Sequence, residues 1–175
     1  MSIIELTREF VADAIRTESH LKPGNWVSRN EWSDCFGAES MAECTVCAVG
    51  SVMRHALSPT LHPSDIFYAA EAAAVPDPDG EAVLPCGGTM LAGMSRSDIF
   101  AQADEFVDVA PMTALSFVFE SLDDIYDGNI DAIRKGTIEF VMNHFPDTIH
   151  VEINGYEAAA DVRVLESGPE SGADK

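Results

Sequence analysis

A mainly helical α+β fold is what this chain of 175 residues predicts: five to six helices around one central buried helix at about residues 41–57, with a small C-terminal β-hairpin. Three observations carry that expectation. Apolar residues recur at helical spacing in successive segments, several of them opened by a capping residue or a proline. The stretch "ECTVCAVGSVMRHAL", from Glu43 to Leu57, is apolar or small nearly all round, as a helix enclosed by neighbours would be. Finally, "TIHVEI" alternates as a strand does and runs into Asn154-Gly155, a strong short hairpin signal.

Taken in order, Ile3, Ile4, Leu6, Phe10, Val11, Ala14 and Ile15 recur at helical spacing and predict an opening helix. It ends before Pro23-Gly24, and a short strand near Trp26 is expected to lead into a loop. Ser40 and Glu43, three residues apart, form a capping box for the central helix. Arg54 stands near its C-terminus, where the helix dipole favours a cation. A third helix starts with Pro63 at its first position and Asp65 in its first turn. The Pro-, Gly- and Asp-rich "VPDPDGEAVLPCGGT" reads as a loop. Ser95 or Ser97 caps the next helix; Leu115, Val118, Phe119, Leu122 and Ile125 line another. Gly128-Asn129 breaks the chain, and Ile130, Ile133, Phe140, Val141 and Phe145 define a last helix stopped by Pro146. A return strand is expected in "DVRVL". Residues 1–165 are read as one globular domain and 166–175 as a polar, disordered tail.

Composition narrows the function. The chain is 46% apolar, enough for a hydrophobic core. It shows no secretory signal pattern and no uncharged run of membrane-spanning length, so a cytoplasmic protein is expected. Thirty Asp and Glu against ten Lys and Arg give a formal net charge of −20. From His55 to Ile133 there are fourteen acids and a single base, Arg96. Direct binding to nucleic acid or to anionic lipid is disfavoured, because both require cations; a basic protein partner is favoured. Solubility and adaptation to salt explain the same excess without a binding face.

Four cysteines invite two chemistries. Cys44 and Cys47 have C-x2-C spacing, and Cys35 and Cys86 would complete a tetrahedral zinc site. Against zinc, there is one such pair rather than two, inside an expected helix, and cysteine is among the most frequently buried residue types. A thiol hydrolase would use Cys44 at a helix N-terminus, where the thiol pKa is lowered, with His150 as base. The placement of His150 at the start of "HVEI" resembles that of the base in papain-like hydrolases and related bacterial cell-wall peptidases. His55 and His62 read as a helix-end and a turn residue, and His20 and His144 as surface or boundary positions. "DPDG" at Asp77 to Gly80 fails as a calcium loop, since Pro78 and "AVLP" occupy ligand positions. No phosphate-binding loop, dinucleotide fingerprint, HExxH or GxSxG is present.

"LKPGNWVSR" followed by "CTVCAVGSVMRHAL" resembles small uncharacterised proteins of bacteriophages and prophages, in which a Trp-containing turn precedes a helix with a Cys-Ala-x-Gly core. The resemblance covers the first third of the chain and implies an accessory factor acting on a host machine. It supplies no catalytic residues. The leading expectation is therefore an acidic, non-enzymatic interaction protein without a cofactor, such as a phage-type inhibitor or nucleic-acid mimic, bound to a basic surface of a nucleic-acid-handling protein. Its contact residues are expected to be Asp104, Glu105, Asp108, Glu120, Asp123, Asp124, Asp127 and Asp131. The thiol hydrolase and the zinc-stabilised domain stand as alternatives.

Overall fold

The computed structural model describes residues 3–23, 45–74, 95–153 and 155–166. Among them are six helices and three strands, a mainly helical α+β fold. The expected strand near Trp26, the Ser40–Glu43 capping box, the loop after Val75 and the C-terminal tail lie outside the described residues.

The chain opens with a strand where a helix was expected. β1, Ile3–Thr7, pairs antiparallel with β2, Thr148–Glu152, on one side and with β3, Arg163–Glu166, on the other. Ile4 and Leu6 are buried while Ile3 and Glu5 are half-buried, the period of two that a strand imposes. Thr7 then ends the strand and starts α1, Arg8–Thr17, its hydroxyl accepting the Phe10 N–H at 3.0 Å.

The C-terminal strands exist as expected but form no hairpin, because β1 lies between them in the order β2-β1-β3. The "YEAAA" segment crosses the end of a helix instead. The Ser58 N–H donates to the Glu157 carbonyl at 2.9 Å, and the Ala159 N–H to the Ala56 carbonyl at 2.8 Å. Gly155 supplies the left-handed backbone this departure uses, at φ +83°.

The helix expected at 41–57 is shorter where it is described. α2 spans Ala48–Ala56, and residues 45–47 precede it in extended conformation, with Val46 bridging to Leu21. Cys47 is its N-cap, the sulfur accepting the Gly50 N–H at 3.4 Å. Ala48, Gly50 and Ser51 are buried, and the Ser51 hydroxyl donates to the Ala14 carbonyl at 3.0 Å, which measures how closely α2 approaches α1. α3, Pro63–Ala74, buries Ile66, Phe67, Ala69 and Ala70. α4, Arg96–Asp104, is opened by a capping box between Ser95 and Asp98. These hydrogen bonds hold the Asp98 carboxyl below its ordinary pKa.

α5, Pro111–Tyr126, is the most enclosed element: every residue from Met112 to Phe119 is buried, and it packs on α2, α3, α4 and α6. The centre of the core is thus shared between α2 and α5 rather than held by α2 alone. Asp127 and Gly128, both with left-handed backbone, turn the chain, and Asn129 caps α6, Ile130–His144, by accepting the Ala132 N–H at 3.2 Å. This short turn makes α5 and α6 an antiparallel pair. A polar knot ties α1 to the rest. Glu18, 1% exposed, accepts from Arg54 Nε at 2.9 Å, while the Arg134 guanidinium donates to the carbonyls of Ile15, Arg16 and Glu18. No helix among the described residues is long and apolar enough to cross a membrane.

Candidate acidic interaction face

The eight acids expected to act together fall into two groups at opposite ends of the α5–α6 pair. Helix α5 has 16 residues, so at 1.5 Å per residue its ends stand about 22 Å apart. One group occupies its C-terminal end and the turn into α6. Glu120, Asp123 and Asp124 follow at positions i, i+3 and i+4, one stripe of the helix, and Asp127, its left-handed C-cap, comes directly after it. Asp131, exposed in the first turn of α6, continues it. The other group, Asp104, Glu105 and Asp108, lies at the end of α4 and in the turn leading to α5, all three exposed.

The first group is electrostatically crowded. Partial burial, then Asp124 and Asp127, push the Asp123 carboxyl above its ordinary pKa, against a hydrogen bond from the Gly128 N–H that favours the anion. The last turn of a helix is also the negative end of its dipole, which disfavours carboxylates. Among the described residues, no Lys, Arg or His pairs with Asp123, Asp124, Asp127 or Asp131. Glu120 sits further in: it is half-buried and near enough to Cys47 to add to the rise of the thiol pKa.

In the second group one acid has a side-chain partner. Asp104 Oδ1 stands 3.0 Å from His144 Nδ1, and that imidazole stacks on Phe140 with ring centroids 4.8 Å apart. His144 is thus a bolt between α4 and α6 rather than a plain surface residue. Asp108 joins a feature that the sequence reading missed, a cavity of about 300 Å³ between the α4–α5 turn and the start of β2. Val107, Val109 and Pro111 line one side, and Pro146, Thr148, Ile149 and His150 the other. The signal was an unremarked "VDVAP", two valines in a polar turn, of which Val109 is 79% exposed.

Of the cysteines, Cys35, Cys44 and Cys86 lie outside the described residues. Cys47 is buried, and desolvation pushes its thiol up to about 12, so it stays protonated at neutral pH and is a poor nucleophile or metal ligand. Among the described residues no cluster of His, Cys, Asp and Glu is arranged to hold a metal. His150 is placed on the outward face of the sheet with Nε2 3.5 Å from Glu5, whose other oxygen receives Arg163 Nη1 at 3.3 Å. Glu5, His150 and Arg163 are cross-strand neighbours in register, so the trio is accounted for as sheet pairing. Comparison with family models, curated proteins and solved structures returns no match to this chain.

Proposed function

We propose that the chain is an acidic, non-enzymatic interaction protein whose stripe of Glu120, Asp123, Asp124 and Asp127, extended by Asp131, docks on a basic surface of a nucleic-acid-handling protein in the cytoplasm. The observation behind this reading is the crowding at Asp123, whose carboxyl is pushed above its ordinary pKa by partial burial and by Asp124 and Asp127, with no Lys, Arg or His paired to it among the described residues; a partner that supplies cations would relieve it. The charge density supports mimicry. Residues 120 to 127 span about 10 Å of helix and present four carboxylates; a duplex carries about six phosphate charges over the same length. A phage-type inhibitor of such a partner is the role this density suits.

The test is an affinity purification from the native host at low and high salt, with the wild-type chain and with the triple variant Asp123→Lys, Asp124→Lys, Asp127→Lys. The wild type captures a basic partner that is released as salt rises, since exposed charges are screened within about 8 Å at physiological ionic strength. The variant captures none, with an unchanged circular dichroism spectrum. Recovery of the same partner by the variant at the same salt would end the proposal.

A further inference from the structure

The phase of the β1–β2 ladder decides which backbone groups of β2 are free. The Arg8 N–H donates to the Asp147 carbonyl at 2.9 Å, so residues 8 and 147 form a hydrogen-bonded pair. In an antiparallel ladder such pairs alternate. Given the register Leu6 to Ile149 and Ile4 to Val151, those pairs also face inward across the ladder. The N–H and C=O groups of Thr148, His150 and Glu152 therefore point away from β1. β2 is an outer strand of the sheet, and among the described residues nothing hydrogen-bonds these outward groups.

A free edge is ordinarily blunted by charge or covered by a loop. Here the α4–α5 turn faces the edge but stands off from it, leaving the cavity of about 300 Å³. Its walls combine Thr148 and His150 of this edge with the apolar Val107, Val109 and Pro111 and with the acidic Asp108. Exposed Glu105 and Asp147 are neighbours in the chain of the two walls. Of the cations near by, Arg8 is already paired with Asp147.

We propose that the outer edge of β2 and the α4–α5 turn form a docking groove for an extended basic peptide segment, which adds to the sheet as a further strand. Backbone pairing to Thr148, His150 and Glu152 supplies affinity, alternate apolar side chains enter beside Val107 and Pro111, and a Lys or Arg meets Asp108. Charge complementarity selects this occupant. The chain's own C-terminal segment, with its Glu and Asp residues, and a second copy carrying net charge −20 are both repelled. The inference does not depend on the α5 stripe, which lies at the other end of the α5–α6 pair.

The test uses the full chain, isotope-labelled for NMR, titrated at 150 mM salt with a capped hexapeptide of alternating Lys and Val and with its Glu-Val counterpart. The expected result is a shift and slowed exchange of the Thr148, His150 and Glu152 amides with the basic peptide only. Asp108→Lys weakens binding about tenfold. His150→Pro removes an outward N–H, sparing the β1–β2 ladder hydrogen bonds, and abolishes binding, while Asp123→Lys leaves it within about twofold, because about 22 Å of screened separation intervenes. Equal binding of both peptides, shifts confined to the α5–α6 turn, or a dimer by sedimentation that leaves no free edge would each overturn the proposal.

Discussion

Replacing Asp123 by Asn is expected to stabilise the free protein while weakening partner capture, and its size follows from three contributions at one turn of α5. Partial burial, then Asp124 and Asp127, raise the Asp123 pKa; of the two neighbours Asp127 stands at i+4, a like-charge spacing that destabilises by about 0.2–0.5 kcal/mol. A carboxylate in the last helical turn opposes the dipole by about 0.3–1 kcal/mol. Set against these is the weaker hydrogen bond that a neutral amide accepts from the Gly128 N–H, a loss of about 0.5 kcal/mol. The net gain at pH 7 and low salt is therefore up to about 1 kcal/mol. The pH dependence has a definite sign. The folded pKa lies above the unfolded value, so the native state holds the extra proton, and the wild type is stabilised as pH falls through the folded pKa and destabilised as pH rises through it. The advantage of Asn therefore vanishes below the unfolded value of about 3.8, and it shrinks in 1 M salt, where the Debye length is about 3 Å. Urea denaturation of both proteins at pH 7 and pH 3, at low and high salt, measures it. A destabilised Asn variant at pH 7, or a difference independent of salt, would refute the crowding argument.

Two further outcomes follow from the core. Glu18→Ala leaves the Arg54 guanidinium and the His20 N–H without their carboxylate; breaking a pair with one member fully buried should lower stability by about 3 kcal/mol in urea denaturation, and a loss under about 1 kcal/mol would make the knot dispensable. Cys47, with its pKa pushed up to about 12, should resist iodoacetamide at pH 8 in the folded protein and react once unfolded; peptide mass spectrometry reads it, and native labelling at the unfolded rate would contradict its burial.

Elements whose signals are local were legible in the sequence. Ser95, of the two serines expected, opens α4, Pro63 starts α3, and Asn129, expected only as part of a break, opens α6, each through a capping or first-turn preference that acts within four residues. β1 was not, because Ile3, Ile4 and Leu6 fit a helical spacing as well as a strand. Its state is decided by partners some 140 residues downstream. The hairpin expectation failed for the same reason: Gly155 has left-handed backbone, as a change of direction would use, but β1 occupies the position between the two strands. Gly136 gave no sequence signal, yet a Cβ there would stand 2.8 Å from Leu122 Cδ1, so it sets how closely α5 and α6 approach. The identity of the acids was plain from composition. Their division was not, since it depends on α5 and α6 running antiparallel.

The competing account of the charge, solubility or salt adaptation, makes a different spatial demand. It calls for carboxylates dispersed over whatever surface is exposed. α3 does not follow that pattern: it exposes Tyr68, at 51%, and Ala72, and Asp65 and Glu71 are its only acids. Of the cations, Arg96 reaches Tyr126 Oη at the end of α5 at 3.4 Å but pairs with Glu139, and four others are committed elsewhere. Arg8 reaches the Phe145 carbonyl and Asp147, Arg54 holds Glu18, Arg134 caps α1, and Arg163 meets Glu5. Each joins segments remote in sequence, so these bases act as fasteners of α1 and the sheet. α5 contains no base at all, and the burial of its residues from Met112 to Phe119 leaves its C-terminal end as the place where its charges emerge. Dispersion would have put a lysine among them at small conformational expense, as the Arg16–Asp13 pair does on α1. Asp123, Asp124 and Asp127 have no Lys, Arg or His paired with them among the described residues, at the helix end where the dipole opposes them, and that local crowding is what the proposed cationic partner would relieve.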